Sequence, residues 1–516
     1  MTGPRPTGGA GFTSSSAAAF LPAALAGRIA DRSSRVLVLG DAVLDTWLVG
    51  SAHRLGRDAP VPVVELHSRE SAPGGAANVA ANLAALGGTV ELLTVLGADE
   101  DGEALLAGLR GRHVEVSRVV RDGERHTPVK HRLATAGQTV ARFDVPPGPP
   151  IAASRQRAFL DALRTALGRG DLDAVVVADY GLGVLTEQVR AALGALRHRL
   201  PLLVVDAHEP ARWADLTPDL VTPSLAEAAA TLGEAPPALD RPGWGARRQH
   251  ALVRRVGGAD VLLTMDVDGA LLLPAGSEPV RHVPAAHAAP ESLACGAGDT
   301  FTAAATLARC AGLPAEATLA LAQTAADVVT VEPGTTVCGT AALTAWLAHA
   351  DRGQVLAHRD LLATIAEHRR HGHRIVFTNG CFDVLHRGHV AYLRQARALG
   401  DVLVVALNGD ASVRRLKGPQ RPVNPLTDRA GVVGALDCVD LVTSFDEDSP
   451  VALLERVRPQ IYAKGGDYTP QMLPETPVVQ RLGGQVRVLD YLSDHSTTAI
   501  VDRIRATESA PSGGGS

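Results

Sequence analysis

At 516 residues the chain is too long for one ordinary hydrophobic core, and domains of roughly 150 residues each are the expectation. Apolar residues make up 46%, charged residues 20% and aromatics only 3%, which favours helix-rich α/β layers built on Ala, Val and Leu and excludes an aromatic β-sandwich. The net charge is −5 and no block of Lys or Arg stands out, so neither nucleic acid nor a membrane surface is expected as a partner; small molecules are.

Residues 1–30 read as a small, polar, disordered tail followed by a helix. Leu21, Leu25 and Ile29 fall four apart, while Arg28, Asp31 and Arg32 interrupt any run long enough for a signal or a membrane span. Residues 31–347 alternate Val/Leu-rich runs (RVLVLGD, AVVVADYG, PLLVVDAH, DVLLTMD) with Ala-rich stretches, the pattern of a parallel sheet wrapped by helices. Residues 348–373 form a charged helical connector, residues 374–507 a second α/β series, and residues 508–516 a flexible tail. The five cysteines are scattered without a CxxC pair, as fits reduced thiols in a cytoplasm.

In the first domain the segment ACGAGDTFTAAATLA joins Gly296, Ala297 and Gly298 to a helix start that carries Asp299. Small residues let the backbone approach a ligand and the first amides of a helix attract an anion, so this is a phosphate cradle with an acid in it. Taken alone, GAGD is equally an ordinary glycine turn. PGGAANVAANLAALG repeats the device with Gly74, Gly75 and the amide Asn78, and LGDAVLD sets Asp41 after the first strand.

Together these segments resemble the signatures of the ribokinase-like (PfkB) sugar kinases. The resemblance implies a three-layer α/β/α domain with a small β-lid formed in part by residues 53–65, in which Asp41, Gly74, Gly75 and Asn78 hold sugar hydroxyls and Asp299 is the catalytic base. It also implies ATP near Gly296, Ala297, Gly298, Thr264 and Gly269, and Mg²⁺ organised through water by Glu227. The chain departs from the family where Ser224 replaces an Asn three residues before Glu227, where Leu293 replaces an acid, and where His208 replaces a Lys.

In the second domain a strand-like IVFTNG leads into CFDVLHRGHVAYL. His386 and His389 could be a metal pair, two core histidines, or donors on a tight turn that Gly388 opens towards a phosphate chain. Zinc needs three or four ligands and no set completes the pair, so the phosphate turn is the better account. HRGH resembles the HxGH motif of the cytidylyltransferase-like nucleotidyltransferases, which have a Rossmann-like fold. The resemblance implies phosphate contacts from Asn379, Gly380, Lys417, Arg421 and Lys464, and from a helix start at Ser496, Thr497 and Thr498; Arg429 is a further candidate. A solvated basic loop and a plain helix cap are the alternatives for the RRLKGPQR run and for Ser496.

The fusion of both halves is similar to the bifunctional heptose 7-phosphate kinase/heptose 1-phosphate adenylyltransferases. That resemblance implies ATP as the substrate of both domains, Mg²⁺, heptose phosphates as the other substrates, and a homodimer through the kinase lid. Two alternatives stand: an adenylyltransferase carrying a decayed, sugar-phosphate-sensing kinase domain, or a kinase and cytidylyltransferase acting on another sugar or polyol phosphate.

Overall fold

A computed structural model describes residues 24–57, 59–135, 138–287, 295–331, 334–351, 355–466 and 469–489. The chain divides into two compact units, Met1–Leu347 and Ala348–Ser516.

The first unit is built on an eight-stranded sheet. Its order is Thr89–Leu93, Arg35–Gly40, Ala174–Asp179, Leu203–Ala207, Leu220–Val221, Asp260–Thr264, Ala270–Leu273, Arg281–Val283. The first six strands run parallel, and each of the last two pairs antiparallel with the strand before it. Both faces are buried, as continuous apolar strands require. Along RVLVLG, Val36 and Val38 enter one core while Leu37 and Leu39 enter the other, so helices cover the sheet on both sides. The chain order along the sheet reverses between Arg35–Gly40 and Ala174–Asp179, and the crevice beyond the carboxyl ends of such a pair is where ligands bind in open α/β sheets.

A second sheet rises from that end, with Pro62–Gly75, Ala42–Leu55, Val129–Thr135 and Gln138–Val145 side by side. The 14-residue strand Ala42–Leu55 is buried at its start and exposed at its far end. The outer part of this sheet carries Leu66 and Phe143, half-exposed at 55% and 50%. This is the lid the resemblance implied.

The second unit has a six-stranded, wholly parallel sheet in the order Val355–Leu356, Leu441–Phe445, Val402–Asn408, Ile375–Gly380, Ile461–Gly465, Gln485–Leu489. Two core clusters again lie on its faces, and Phe377 and Val376 of one strand point to different ones. The order reverses at Ile375–Gly380 and Ile461–Gly465, which sets the NGCFDVLHRGH segment and Lys464 at one crevice. Among the described residues no helix is long and apolar enough to cross a membrane.

Candidate active sites

In the first unit the helix Ala297–Cys310 starts after Gly296, whose φ of 82° suits glycine. A Cβ at this position would lie 2.5 Å from Asn78 Nδ2, so the glycine also lets the helix Ala76–Ala85 approach. Asp299 in the first turn meets that amide. Asn78 Nδ2 donates to Asp299 Oδ2 at 2.8 Å, and Tyr180 Oη lies 3.0 Å from Asp299 Oδ1. Burial raises the Asp299 carboxyl to about 6, although both hydrogen bonds oppose the rise. A carboxylate at that value is ionised at neutral pH and basic enough to take a hydroxyl proton. Beside it lies a cavity of about 550 Å³, lined among others by Ser224, Thr264, Gly269, Ala297 and Gly298.

The sugar side departs from the sequence reading. Asp41 is fully buried, and its carboxylate accepts from the backbone N–H groups of Tyr180 at 3.0 Å, Leu182 at 2.9 Å and Val184 at 3.0 Å. Expected on the sugar, it instead anchors the 180–184 loop. The acid beside Gly74 that acts on Asp299 is Asp45, four residues on, which sequence reasoning did not single out. It accepts from Arg132 Nη1 at 2.9 Å and from Thr335 Oγ1 at 3.2 Å, and a Cβ on Gly74 would fall 2.7 Å from its Oδ2. Asn78 was also expected on the sugar. Its Nδ2 is on Asp299 and its Oδ1 accepts from Asn82 at 3.1 Å, so it holds the Asp299 carboxylate in place. Gly75, at φ 56°, stands where a Cβ would be 3.0 Å from the Tyr180 ring.

Ser224 and Glu227 form a capping box at the start of Leu225–Leu232: Ser224 N donates to Glu227 Oε2 at 2.8 Å and Glu227 N donates to Ser224 Oγ at 3.3 Å. Glu227 Oε1 lies 2.6 Å from His208 Nδ1. The His208 pair holds the Glu227 carboxyl below its usual range against the effect of burial, and raises the imidazole in turn. Ser224 therefore acts first as a helix cap. Leu293 lies outside the described residues.

Three lid cations escaped the sequence reading. Lys130, Arg132 and Arg142 place their charge beside Cys295, which lines the cavity, and Lys130 also acts on Asp299. Their strands alternate in a way the sequence shows, but which face looks at the site is settled only by the fold.

In the second unit His386 caps the helix Arg387–Arg397. Its ring centroid lies 3.9 Å from that of His389, and the Phe382 ring lies 5.2 Å from that of His389. Burial, with the charges of His386 and Lys417 beside it, pushes the His389 imidazole down to about 4, so it is a neutral donor at pH 7. Across the strand pair, Asn379 Oδ1 accepts from Tyr462 Oη at 2.7 Å and from Lys464 Nζ at 3.1 Å. Burial lowers the Lys464 ammonium. Lys417 is exposed at the end of Asp410–Lys417.

Two arginines are not placed as expected. Arg421 directs Nε to the buried carboxylate of Asp383, which also accepts from Val423 N at 2.7 Å, and the buried Nη2 of Arg421 has no partner among the described residues. Arg429 is buried, donating to the carbonyls of Asn424, Cys381 and Asn408 and to Asp410 Oδ1 at 2.8 Å, so it braces the loops instead of clamping phosphate. Ser496, Thr497 and Thr498 lie outside the described residues.

A lidded three-layer unit with an acid at a glycine-opened helix start, followed by a parallel-sheet unit with HRGH at its switch point, defines an enzyme that joins a carbohydrate kinase to a nucleotidyltransferase. The comparisons agree. Residues 33–342 match the pfkB family carbohydrate kinase model and residues 377–503 the cytidylyltransferase-like model. The "Bifunctional protein HldE" of Pelobacter propionicus is 37% identical over 479 residues, covering 92% of this chain and 96% of that protein. That of Hahella chejuensis is 38% identical over 482 residues, covering 92% and 97%. The chain belongs to this family of bifunctional HldE proteins. Phosphofructokinase-2 from Escherichia coli in complex with fructose-6-phosphate shares the fold of the first unit, at TM-score 0.50 and 19% identity, covering 61% of this chain and 99% of that one.

Proposed function

We propose that the first unit phosphorylates the anomeric hydroxyl of D-glycero-β-D-manno-heptose 7-phosphate with ATP, giving the 1,7-bisphosphate. The second unit joins AMP from ATP to D-glycero-β-D-manno-heptose 1-phosphate, giving ADP-heptose and pyrophosphate. The observation that carries the kinase half is Asp299, held between Asn78 and Tyr180 and raised to about 6. As the hydroxyl attacks the γ-phosphorus in line, Asp299 takes its proton, the new P–O bond forms, and ADP leaves. Lys130, whose charge reaches Asp299, favours an anionic sugar over a free one, with Arg132 and Arg142 nearby but paired to Asp45 and Asp144.

Mg²⁺ neutralises the triphosphate when bound. Both Glu227 oxygens are engaged, by Ser224 N and His208, so the residues fit an ion carried by ATP and water better than one caged by protein. In the second unit His386, His389 and Lys464 hold the triphosphate as the sugar phosphate attacks the α-phosphorus. The enzyme works as a cytoplasmic homodimer through the lid, a placement supported by five free cysteines and by the half-exposed Leu66 and Phe143.

The test is a pair of assays on the full chain. Heptose 7-phosphate should be phosphorylated by the wild type and about 10²–10⁴-fold more slowly by Asp299→Asn, with pyrophosphate release from ATP and heptose 1-phosphate unchanged in the variant. No phosphorylation by the wild type would point to a sensing domain, and preferential pyrophosphate release from CTP would overturn the adenylyl assignment.

A further inference from the structure

Tyr180 Oη lies 2.8 Å from Asp206 Oδ2 and 3.0 Å from Asp299 Oδ1. A phenol has one proton to donate, so two hydrogen bonds to two carboxyl groups require a second proton on one of them. Asp299 already accepts from Asn78, whereas among the described residues Asp206 has no side-chain partner besides Tyr180. We propose that Asp206 and Tyr180 are positioning residues for the base: Asp206 keeps a proton and donates it to Tyr180 Oη, and Tyr180 donates its own to Asp299. This rests on the kinase reading of the first unit.

The surroundings favour that order. Asp206 lies near the end of the strand Leu203–Ala207 and faces the carboxylates of Asp299 and Glu227, with the His208 imidazole nearby; Asp299 faces Asp45 and Lys130. Burial among these acids raises Asp206 to about 8, above the value near 6 for Asp299, so at pH 7 the proton stays on Asp206. The phenol itself is pushed well above its usual range and does not ionise. Its position is fixed from three sides: Tyr180 N donates to Asp41, Gly75 leaves room for the ring, and His208 meets the ring edge with centroids 5.3 Å apart. The buried Asp41 thereby acts on the base through Tyr180. Above about pH 8, Asp206 loses its proton and competes for the phenolic O–H, and Asp299 loses an orienting donor while still ionised.

The experiment is the pH profile of heptose 7-phosphate phosphorylation by the full chain between pH 5 and 9.5. The wild type should show an acidic limb near 6 and an alkaline limb near 8. Tyr180→Phe removes a donor that favours the carboxylate, so its acidic limb should rise by about one pH unit, with KM for ATP within about twofold of wild type. Asp206→Asn can still donate to Tyr180 Oη, so it should keep the wild-type acidic limb and lose the alkaline one. Asp206→Ala should fall at every pH. The thermal transition followed by tryptophan fluorescence, all four tryptophans lying in the first unit, reports whether each variant is folded, and the near-isosteric Asn variant keeps the test decisive if the Ala variant is not. An active wild type with an alkaline limb that persists in Asp206→Asn, or an acidic limb unmoved in Tyr180→Phe, overturns the relay alone. A wild type that phosphorylates nothing overturns the kinase reading and the relay with it.

Discussion

Asp41 and Asp45 should separate into an anchor and a ligand when each is replaced. Asp41→Ala strips the acceptor from three N–H groups, those of Tyr180, Leu182 and Val184, in a fully buried setting. At about 1–3 kcal/mol for each orphaned donor, with some relief from water entering the vacated space, the cost is about 3–6 kcal/mol. That is a large part of the stability of an ordinary domain, about 5–15 kcal/mol. Asp41→Asn should cost less, because it keeps one acceptor oxygen and removes the burial penalty that raises the Asp41 carboxyl. Asp45→Asn leaves an acceptor for Arg132 and should shift stability by about 1 kcal/mol or less, while losing about 1.5–3 kcal/mol of charged hydrogen bonding to the sugar, or about 10- to 150-fold in kcat/KM. Denaturant unfolding of the full chain, with steady-state kinetics in the sugar, measures both. A stable Asp41→Ala protein with a raised sugar KM, alongside a normal Asp45→Asn enzyme, would refute the reassignment.

The second unit and the lid give three further expectations. His389→Ala should slow adenylyl transfer about 10²-fold, as the loss of one preorganised donor does, and leave phosphorylation unchanged. Because His389 is neutral down to about pH 4, its neutral form persists as pH rises, so adenylyl transfer should show no limb near 6.5 that this substitution abolishes; finding one would contradict a neutral donor. Arg429→Met should destabilise the second unit by about 3–5 kcal/mol, since Asp410 and three carbonyls lose a buried partner; the denaturant midpoint for loss of adenylyl transfer checks it, and a phosphate clamp would instead show wild-type stability with a raised KM for ATP. Leu66→Asp with Phe143→Asp should convert a dimer to a monomer in sedimentation, and an unchanged sedimentation coefficient would remove the lid interface.

What the sequence shows well is what is contiguous. Gly296, Ala297, Gly298 and Asp299 are adjacent, so a glycine-opened helix start with an acid in its first turn is legible before any fold is known. The same holds for Asn379 through His389. Asp41 and Asp45 are not separable in that way. Four residues apart on one extended segment, they share strand parity, and what distinguishes them is a loop about 140 residues away that brings three amides to one of them and none to the other. Tyr180, just past the strand Ala174–Asp179, and Asp206, near the end of Leu203–Ala207, are ordinary until the sheet sets them beside a helix start 119 residues from Tyr180. Arg421 and Arg429 fail for a different reason. A basic residue, whether in a loop like Arg421 or in the helix Leu426–Gly434 like Arg429, is charged by its sequence, but its burial depends on carbonyls and carboxylates supplied by residues 381, 383, 408 and 410.

The departures from the kinase family pattern also change meaning once their neighbours are known. Ser224 and His208 both bear on Glu227: the hydroxyl keeps the helix cap that an amide could also make, and the imidazole takes the other carboxylate oxygen. The substitutions are therefore matched to one another around one carboxylate and leave the base untouched. A domain decayed into a sensor needs to hold a sugar phosphate, and the lid cations with Asp45 suffice for that. It has no use for a carboxylate held by Asn78 on one side and Tyr180 on the other, desolvated until its value sits near 6, because burying such a group costs stability that binding does not recover. That unrecovered cost is what favours an active kinase in the first unit over a sensor.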